Sequence, residues 1–147
     1  MQTFKLEDML AYRVVFLAQG LSQSLSLIYK EHLSLSTPEW RIMATVKQKG
    51  ECRAKDIAAL TLLDKVKVSR ATQRLVERGF VIKRQDKSDK RVFHLSLSVL
   101  GEETYDSLVP KIEAWQANLK NGISEHDFNV FSQVLGQLTR NAESTRR

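Results

Sequence analysis

The chain has 147 residues, 42% of them hydrophobic and 27% charged, a formal net charge of +6, two prolines, six glycines and one cysteine. That length suits one domain with a modest core, and the interspersed charged and periodic apolar residues exclude a disordered chain and point to a largely helical one. No apolar run approaches the roughly 20 residues of a membrane span, Cys52 alone cannot form an internal disulfide, and Met1-Gln2-Thr3-Phe4-Lys5 leads straight into a helical pattern without a signal peptide, so a cytoplasmic protein with no membrane association is expected.

From about Leu6 to Leu33, apolar residues recur at three and four: Leu6, Met9, Leu10, Val14, Leu17, Leu21, Leu25 and Ile28. Tyr12, Val15 and Phe16 add a second stripe, so this long helix buries two faces, either against another subunit or within one core. After the break at Ser34-Leu35-Ser36, Thr37-Pro38-Glu39 predicts a helix start with Thr37 as N-cap, and Lys49-Gly50 predicts its end. A short helix from Arg53 to about Leu60, a turn at Thr61-Leu62-Leu63 and a basic helix from Lys65 to Arg78, capped by Asp64, make a helix-turn-helix.

After Gly79, the runs Phe80-Val81-Ile82-Lys83-Arg84 and Arg91-Val92-Phe93-His94-Leu95-Ser96-Leu97 read as strands of a β-hairpin. Its charged tip is Gln85-Asp86-Lys87-Ser88-Asp89-Lys90, and a helix-turn-helix followed by such a hairpin is a winged helix. Two helices close the chain, about Val99 to Asn121 and about Glu125 to Ala142. Pro110 is expected to kink or locally break the first, and Ser124 to cap the second. The fold class is therefore mainly α with a small β-hairpin wing.

The excess positive charge lies in the middle. Between Arg53 and Arg91 there are 12 Lys/Arg against 5 Asp/Glu, a net +7, whereas the rest has 11 against 12, a net −1. A charge so concentrated on one helix and one wing suits a nucleic-acid-binding face, although a solvated basic surface has the same composition.

This arrangement resembles the MarR (multiple antibiotic resistance regulator) family of bacterial transcription factors. Asp86-Lys87-Ser88-Asp89-Lys90-Arg91 followed by Leu95-Ser96-Leu97-Ser98-Val99-Leu100-Gly101 is similar to the family's wing signature, Asp-x-Arg and then Leu-Thr-x-x-Gly, with Ser98 where threonine is usual. Val68-Ser69-Arg70 with Leu75 and Arg78-Gly79-Phe80-Val81 looks like its recognition helix and exit, and Thr37-Pro38-Glu39-Trp40 like its second-helix start. The resemblance spans nearly the whole chain. It implies one MarR-type domain over residues 1–147, with a winged helix-turn-helix lobe at about 37–99 and dimerisation helices at about 1–33 and 99–147. It further implies a homodimer that binds double-stranded DNA at a pseudo-palindromic operator, as a repressor released by a small ligand. The rival reading is a winged-helix protein-interaction or RNA-binding module without effector response.

Within that resemblance, Arg91 enters the minor groove and Asp89 helps to hold it; an arginine suits the negative potential of a narrow groove. The other reading of the pair is a surface salt bridge. On the basic helix, Lys65, Lys67, Ser69, Arg70, Gln73 and Arg74 are the candidates for DNA contact, because arginine can read guanine and glutamine can read adenine. Lys67, Ser69, Arg70 and Gln73 are the preferred readers, whereas Arg74 can equally pair with Glu77 or Asp64.

Relatives bind small aromatic acids between their dimerisation helices and DNA-binding lobe. Tyr12, Arg13, Phe16, Trp40 and Arg41 offer aromatic walls and cations for a carboxylate effector, or else are ordinary core and dimer packing. Peroxide-sensing relatives carry their cysteine in the first helix, which here has none. Cys52 has Arg53 beside it to lower its pKa, or is a small buried apolar side chain. His32, His94 and His126 match no metal-ligand spacing, and His94 is expected to be exposed. With no metal site, no cofactor motif and no catalytic constellation, an enzyme is not expected.

Overall fold

The computed structural model describes residues 3–146; Met1, Gln2 and Arg147, at the ends of the expected 1–147 domain, lie outside the described residues. In chain order it has a 3₁₀ turn Leu6–Asp8, α1 (Leu10–Leu33), α2 (Thr37–Lys49), β1 (Cys52–Arg53), α3 (Ala54–Thr61), α4 (Lys65–Glu77), β2 (Val81–Gln85), β3 (Phe93–Leu97), α5 (Val99–Leu119) and α6 (Glu125–Ser144). The chain divides into two compact units, Met1–Ile112 and Glu113–Arg147, so that α5 runs from one into the other.

In the first unit α2, α3, α4 and the sheet close around Ile42, Met43, Val46, Ile57, Ala71, Leu75 and Leu95, all buried. Tyr29, Trp40 and Tyr105 stack in sequence, with ring centroids 5.4 and 5.2 Å apart and nearly parallel planes. Lys47 of α2 forms ion pairs with Glu102 and Asp106 of α5, and burial pushes the Tyr105 phenol above its ordinary value. In the second unit the ammonium of Lys120 lies 4.1 Å from the Phe128 ring centre, and α6 buries none of its described residues.

Several local expectations are corrected. The first helix does not run from Leu6: Met9 is extended (ψ 128°), separating the 3₁₀ turn from α1. The N-cap of α2 is Ser36, not Thr37. Ser36 Oγ accepts from the Glu39 N–H at 3.2 Å and donates to Glu39 Oε1 at 3.0 Å, an N-cap one residue earlier than expected. Thr37 instead accepts the Tyr29 hydroxyl at 2.8 Å. Pro110 does not break its helix, since α5 is continuous from Val99 to Leu119; one proline removes one helical hydrogen bond and leaves its neighbours' bonds in place.

The sheet has three antiparallel strands in the order β1-β3-β2. The hairpin β2–β3 pairs Val81 with Leu97 through Gln85 with Phe93, and Cys52–Arg53 adds a third strand opposite Leu95 and His94. Two residues are too few to show an alternating pattern, which is why this strand is invisible in the sequence. Burial pushes the Cys52 thiol above its ordinary value, so it is not the activated thiolate that a neighbouring Arg53 suggested.

Candidate nucleic-acid interface

The basic helix starts where Asp64 Oδ1 accepts the Lys67 N–H at 2.8 Å. Val68, Ala71, Thr72 and Leu75 recur at three and four and bury one face of α4 against α2 and α3. The opposite face is therefore dictated by helical geometry. Lys65, Lys67, Ser69, Arg70 and Gln73 are all exposed on it, as expected, together with Val66, 58% exposed. Val66 is not found by the apolar pattern because valine reads as core; here it is exposed beside the polar candidates.

Gln73 Nε2 donates to Glu77 Oε1 at 3.2 Å, an i,i+4 bond along the exposed face. Arg74 is the exception among the six. Neither suggested partner holds it: Glu77 takes Gln73 and Asp64 lies 3.9 Å from the Lys67 ammonium. Arg74 Nε donates instead to Glu39 Oε1 of α2 at 2.9 Å. That partner stands 35 positions away, beyond any local pattern.

The wing is tied at its tip. Asp86 Oδ2 accepts the N–H groups of Ser88 and Asp89, both at 2.9 Å, and Gln85 Nε2 donates to the Lys90 carbonyl at 2.8 Å. His94 is not exposed as expected: its side chain is 15% exposed, with Nε2 2.8 Å from Asp86 Oδ1 and Nδ1 3.6 Å from Glu51 Oε1. β1 brings Glu51 beside β3, which strand alternation alone does not show. The His94 hydrogen bond, then the two backbone N–H groups, pull the Asp86 carboxyl down to about 2.

At the tip the structure brings Asp89 and Arg91 together. Arg91 Nε and Nη2 donate to Asp89 Oδ1 and Oδ2 at 3.2 and 3.4 Å, and the Arg91 N–H also donates to Oδ1 at 3.0 Å. The arginine side chain remains 90% exposed, so it is steered yet available. The guanidinium, followed by its own backbone N–H, holds the Asp89 carboxyl below its ordinary value. Lys55 of α3, Lys65, Ser69 and Gln73 of α4 and Lys83 of β2 line a groove of ≈ 530 Å³. Lys83, whose ammonium lies 4.5 Å from the Phe93 ring centre, extends the basic surface beyond the expected residues.

The five effector candidates are differently placed. Tyr12, Arg13 and Phe16 are exposed on the first turns of α1, Arg41 is half-buried, and Trp40 has its ring stacked between Tyr29 and Tyr105. Its ring is thus a core element, not an open wall.

Residues 35–93 match the model of the MarR family. The HTH-type transcriptional regulator BilQ of Clostridium symbiosum (strain WAL-14163) is 24% identical over 119 residues, which cover 81% of this chain and 81% of BilQ. Among solved structures, a MarR/EmrR family transcriptional regulator from Acinetobacter sp. ADP1 superposes with a TM-score of 0.84 at 21% identity, covering 96% of this chain and 99% of its own. BpsR of Bordetella bronchiseptica, whose DNA binding is regulated by 6-hydroxynicotinic acid, superposes with a TM-score of 0.81 at 15% identity, covering 94% and 98%. At these identities the structural matches speak for the fold, a winged helix.

Proposed function

We propose that this chain, which belongs to the MarR family of DNA-binding transcriptional regulators, is a homodimeric repressor that reads a pseudo-palindromic operator and is released by a small ligand. The observation that carries the reading is the pairing of two exposed readers on one lobe: the polar outer face of α4 and the Asp89-steered Arg91 of the wing. In this reading residues at about 37–99 are the DNA-binding lobe. Lys65, Lys67, Ser69, Arg70 and Gln73 meet the major groove and its phosphates, and Arg91 meets the minor groove.

Exposed apolar side chains support the dimer. Phe4, Val15 and Phe16 in the first unit are 76%, 56% and 71% exposed, and Phe131 and Val134 in the second are 47% and 51% exposed. Such apolar surface is costly in water and suits a covering subunit. Residues at about 1–33 and 99–147 are therefore assigned to dimerisation. The ligand response is supported by the likeness to BpsR, and an aromatic carboxylate near Tyr12, Arg13 and Phe16 is the class we favour. It acts only if it prefers a dimer whose recognition helices are wrongly spaced, because equal affinity for two states shifts neither. No helix among the described residues is long and apolar enough to cross a membrane. In this reading the protein works where its DNA is, in the cytoplasm.

The test is selection on random duplex DNA, with the mass of the complex measured by light scattering. The expected result is two protomers on half-sites about one helical turn apart, released by members of a panel of aromatic acids. Binding by a monomer with no sequence preference would overturn the reading. Binding that ignores the whole panel would remove the ligand from it.

A further inference from the structure

Arg70 and Arg74 are one helical turn apart on α4 and look equivalent in the sequence. The structure separates them through Glu39. This carboxylate is 4% exposed at the start of α2, yet it is held by its neighbours: Oε1 accepts from Ser36 Oγ at 3.0 Å and from Arg74 Nε at 2.9 Å, and Oε2, which accepts no hydrogen bond among the described residues, forms an ion pair with Arg78 Nη1 at 3.5 Å. Arg78 in turn donates to the carbonyls of Leu33 and Ser34, at 2.7 and 3.2 Å, where α1 ends. One buried charge thereby joins the end of α1, the start of α2 and the last turn of α4.

We infer that Glu39 is a positioning residue for DNA reading, which keeps Arg74 out of the phosphate contacts and sets the pose of the recognition helix against α2. A carboxylate buried this deeply is tolerated only while it is paired, so withdrawing either arginine toward DNA leaves an uncompensated charge in the core. Arg74 is therefore committed inward, although its side chain is 48% exposed, whereas Arg70 is exposed and forms no ion pair among the described residues. The same pairing fixes the helix. Arg74 and Arg78 are one turn apart at the C-terminal end of α4 and grip α2 and the carbonyls at the end of α1, so that end of α4 cannot roll or slide without breaking contacts to both. Those carbonyls lie at the negative end of the α1 dipole, which favours the guanidinium there. Movement of the α1 terminus is thus transmitted to the reading helix by Arg78.

The inference rests on α4 reading DNA, and the experiment keeps the two apart. Affinity for the selected operator and for an unrelated duplex is measured against salt for the wild type, Arg70→Ala, Arg74→Ala and Glu39→Gln. A lysine or arginine that contacts phosphate contributes about one to the slope of log affinity against log salt. Arg70→Ala should flatten the slope by about one. Arg74→Ala should lower operator affinity without changing the slope. Glu39→Gln keeps the side-chain shape but frees Arg74, so the slope should steepen by about one, binding to unrelated DNA should rise, and operator preference should fall by about one order of magnitude. A residue that merely stabilises the fold lowers the melting temperature and moves none of these slopes. The inference is overturned if Arg74→Ala flattens the slope as Arg70→Ala does, or if Glu39→Gln leaves slope and preference unchanged. Where Glu39→Gln does not fold, the Arg74→Ala slope decides alone. A wild type without sequence preference, or an Arg70→Ala slope equal to the wild type's, instead refutes the reading of α4 and the inference with it.

Discussion

Gly101 packs so close to the Phe80 carbonyl oxygen that a Cβ at this position would collide with it. The contact closes a small knot at the base of the wing. Ser98 donates through its N–H to that same carbonyl at 3.0 Å, and Ser98 Oγ accepts the Gly101 N–H at 2.9 Å. The Leu97-Ser98-Val99-Leu100-Gly101 segment is thus a capped helix start pressed onto the end of the recognition-helix exit. Gly101→Ala should destabilise the protein by at least about 1–3 kcal/mol, the usual cost of overpacking. Urea unfolding measures it, and an unchanged midpoint would refute the contact.

Leu62 closes α3 in the left-handed region, with φ 58°, and its side chain is 88% exposed. It forfeits little packing, while its Cβ strains the turn. Leu62→Gly should therefore raise stability by up to about 1 kcal/mol. Thermal unfolding of the two proteins side by side checks the sign.

Arg91→Ala and Gln73→Ala should fail differently. Loss of the wing arginine weakens binding to every operator variant and flattens the salt dependence. Loss of Gln73 removes discrimination at one base pair, worth about 1–3 kcal/mol, and leaves the other positions intact. Titration against single-base operator variants reads both, and loss of neither would sink this assignment.

Asp86 titrates at about 2 in the folded protein against 3.8 as its ordinary value, chiefly because His94 hydrogen-bonds to it. A depressed carboxylate contributes stability that is present above about pH 4 and lost as pH falls through about 2. The wing tip should loosen in that window. An NMR titration of the Asp86 carboxyl should place its midpoint near 2, and His94→Ala should move that midpoint up toward 3.8. An unmoved midpoint would show that the backbone N–H groups of Ser88 and Asp89 hold it alone.

Burial raises the Cys52 thiol, which also sits 3.5 Å from the Gly50 carbonyl. In the folded protein at neutral pH it should react with thiol reagents at least about tenfold more slowly than a free cysteine and at the ordinary rate in denaturant. Fast labelling of the folded protein would reopen a redox role.

Most of the interface was legible because its determinants are local. An N-cap at Asp64, apolar spacing of three and four, and an alternating hairpin each act within a few residues, so α4 and the wing follow from the residues that build them. Proximity of two positions in the chain also made the Asp89–Arg91 pair readable. Burial of His94 was not readable, since it depends on Glu51 arriving through a two-residue strand and on the folding back of Asp86. Trp40 likewise looked like the wall of a ligand site until Tyr29 and Tyr105 covered its ring.

By itself, then, the sequence determined the order of the elements, the buried and exposed faces of α4 and the concentration of +7 between Arg53 and Arg91. Each of these depends on neighbours within one or two turns or on a simple count of charge. Only the tertiary structure decided which cations stay outward. Arg74 meets Glu39 across 35 positions and Arg78 meets the α1 carbonyls across 44 and 45, because packing α4 on α2 puts them within reach. A buried carboxylate must find its partner wherever the fold supplies one, and no local pattern in the chain records that choice.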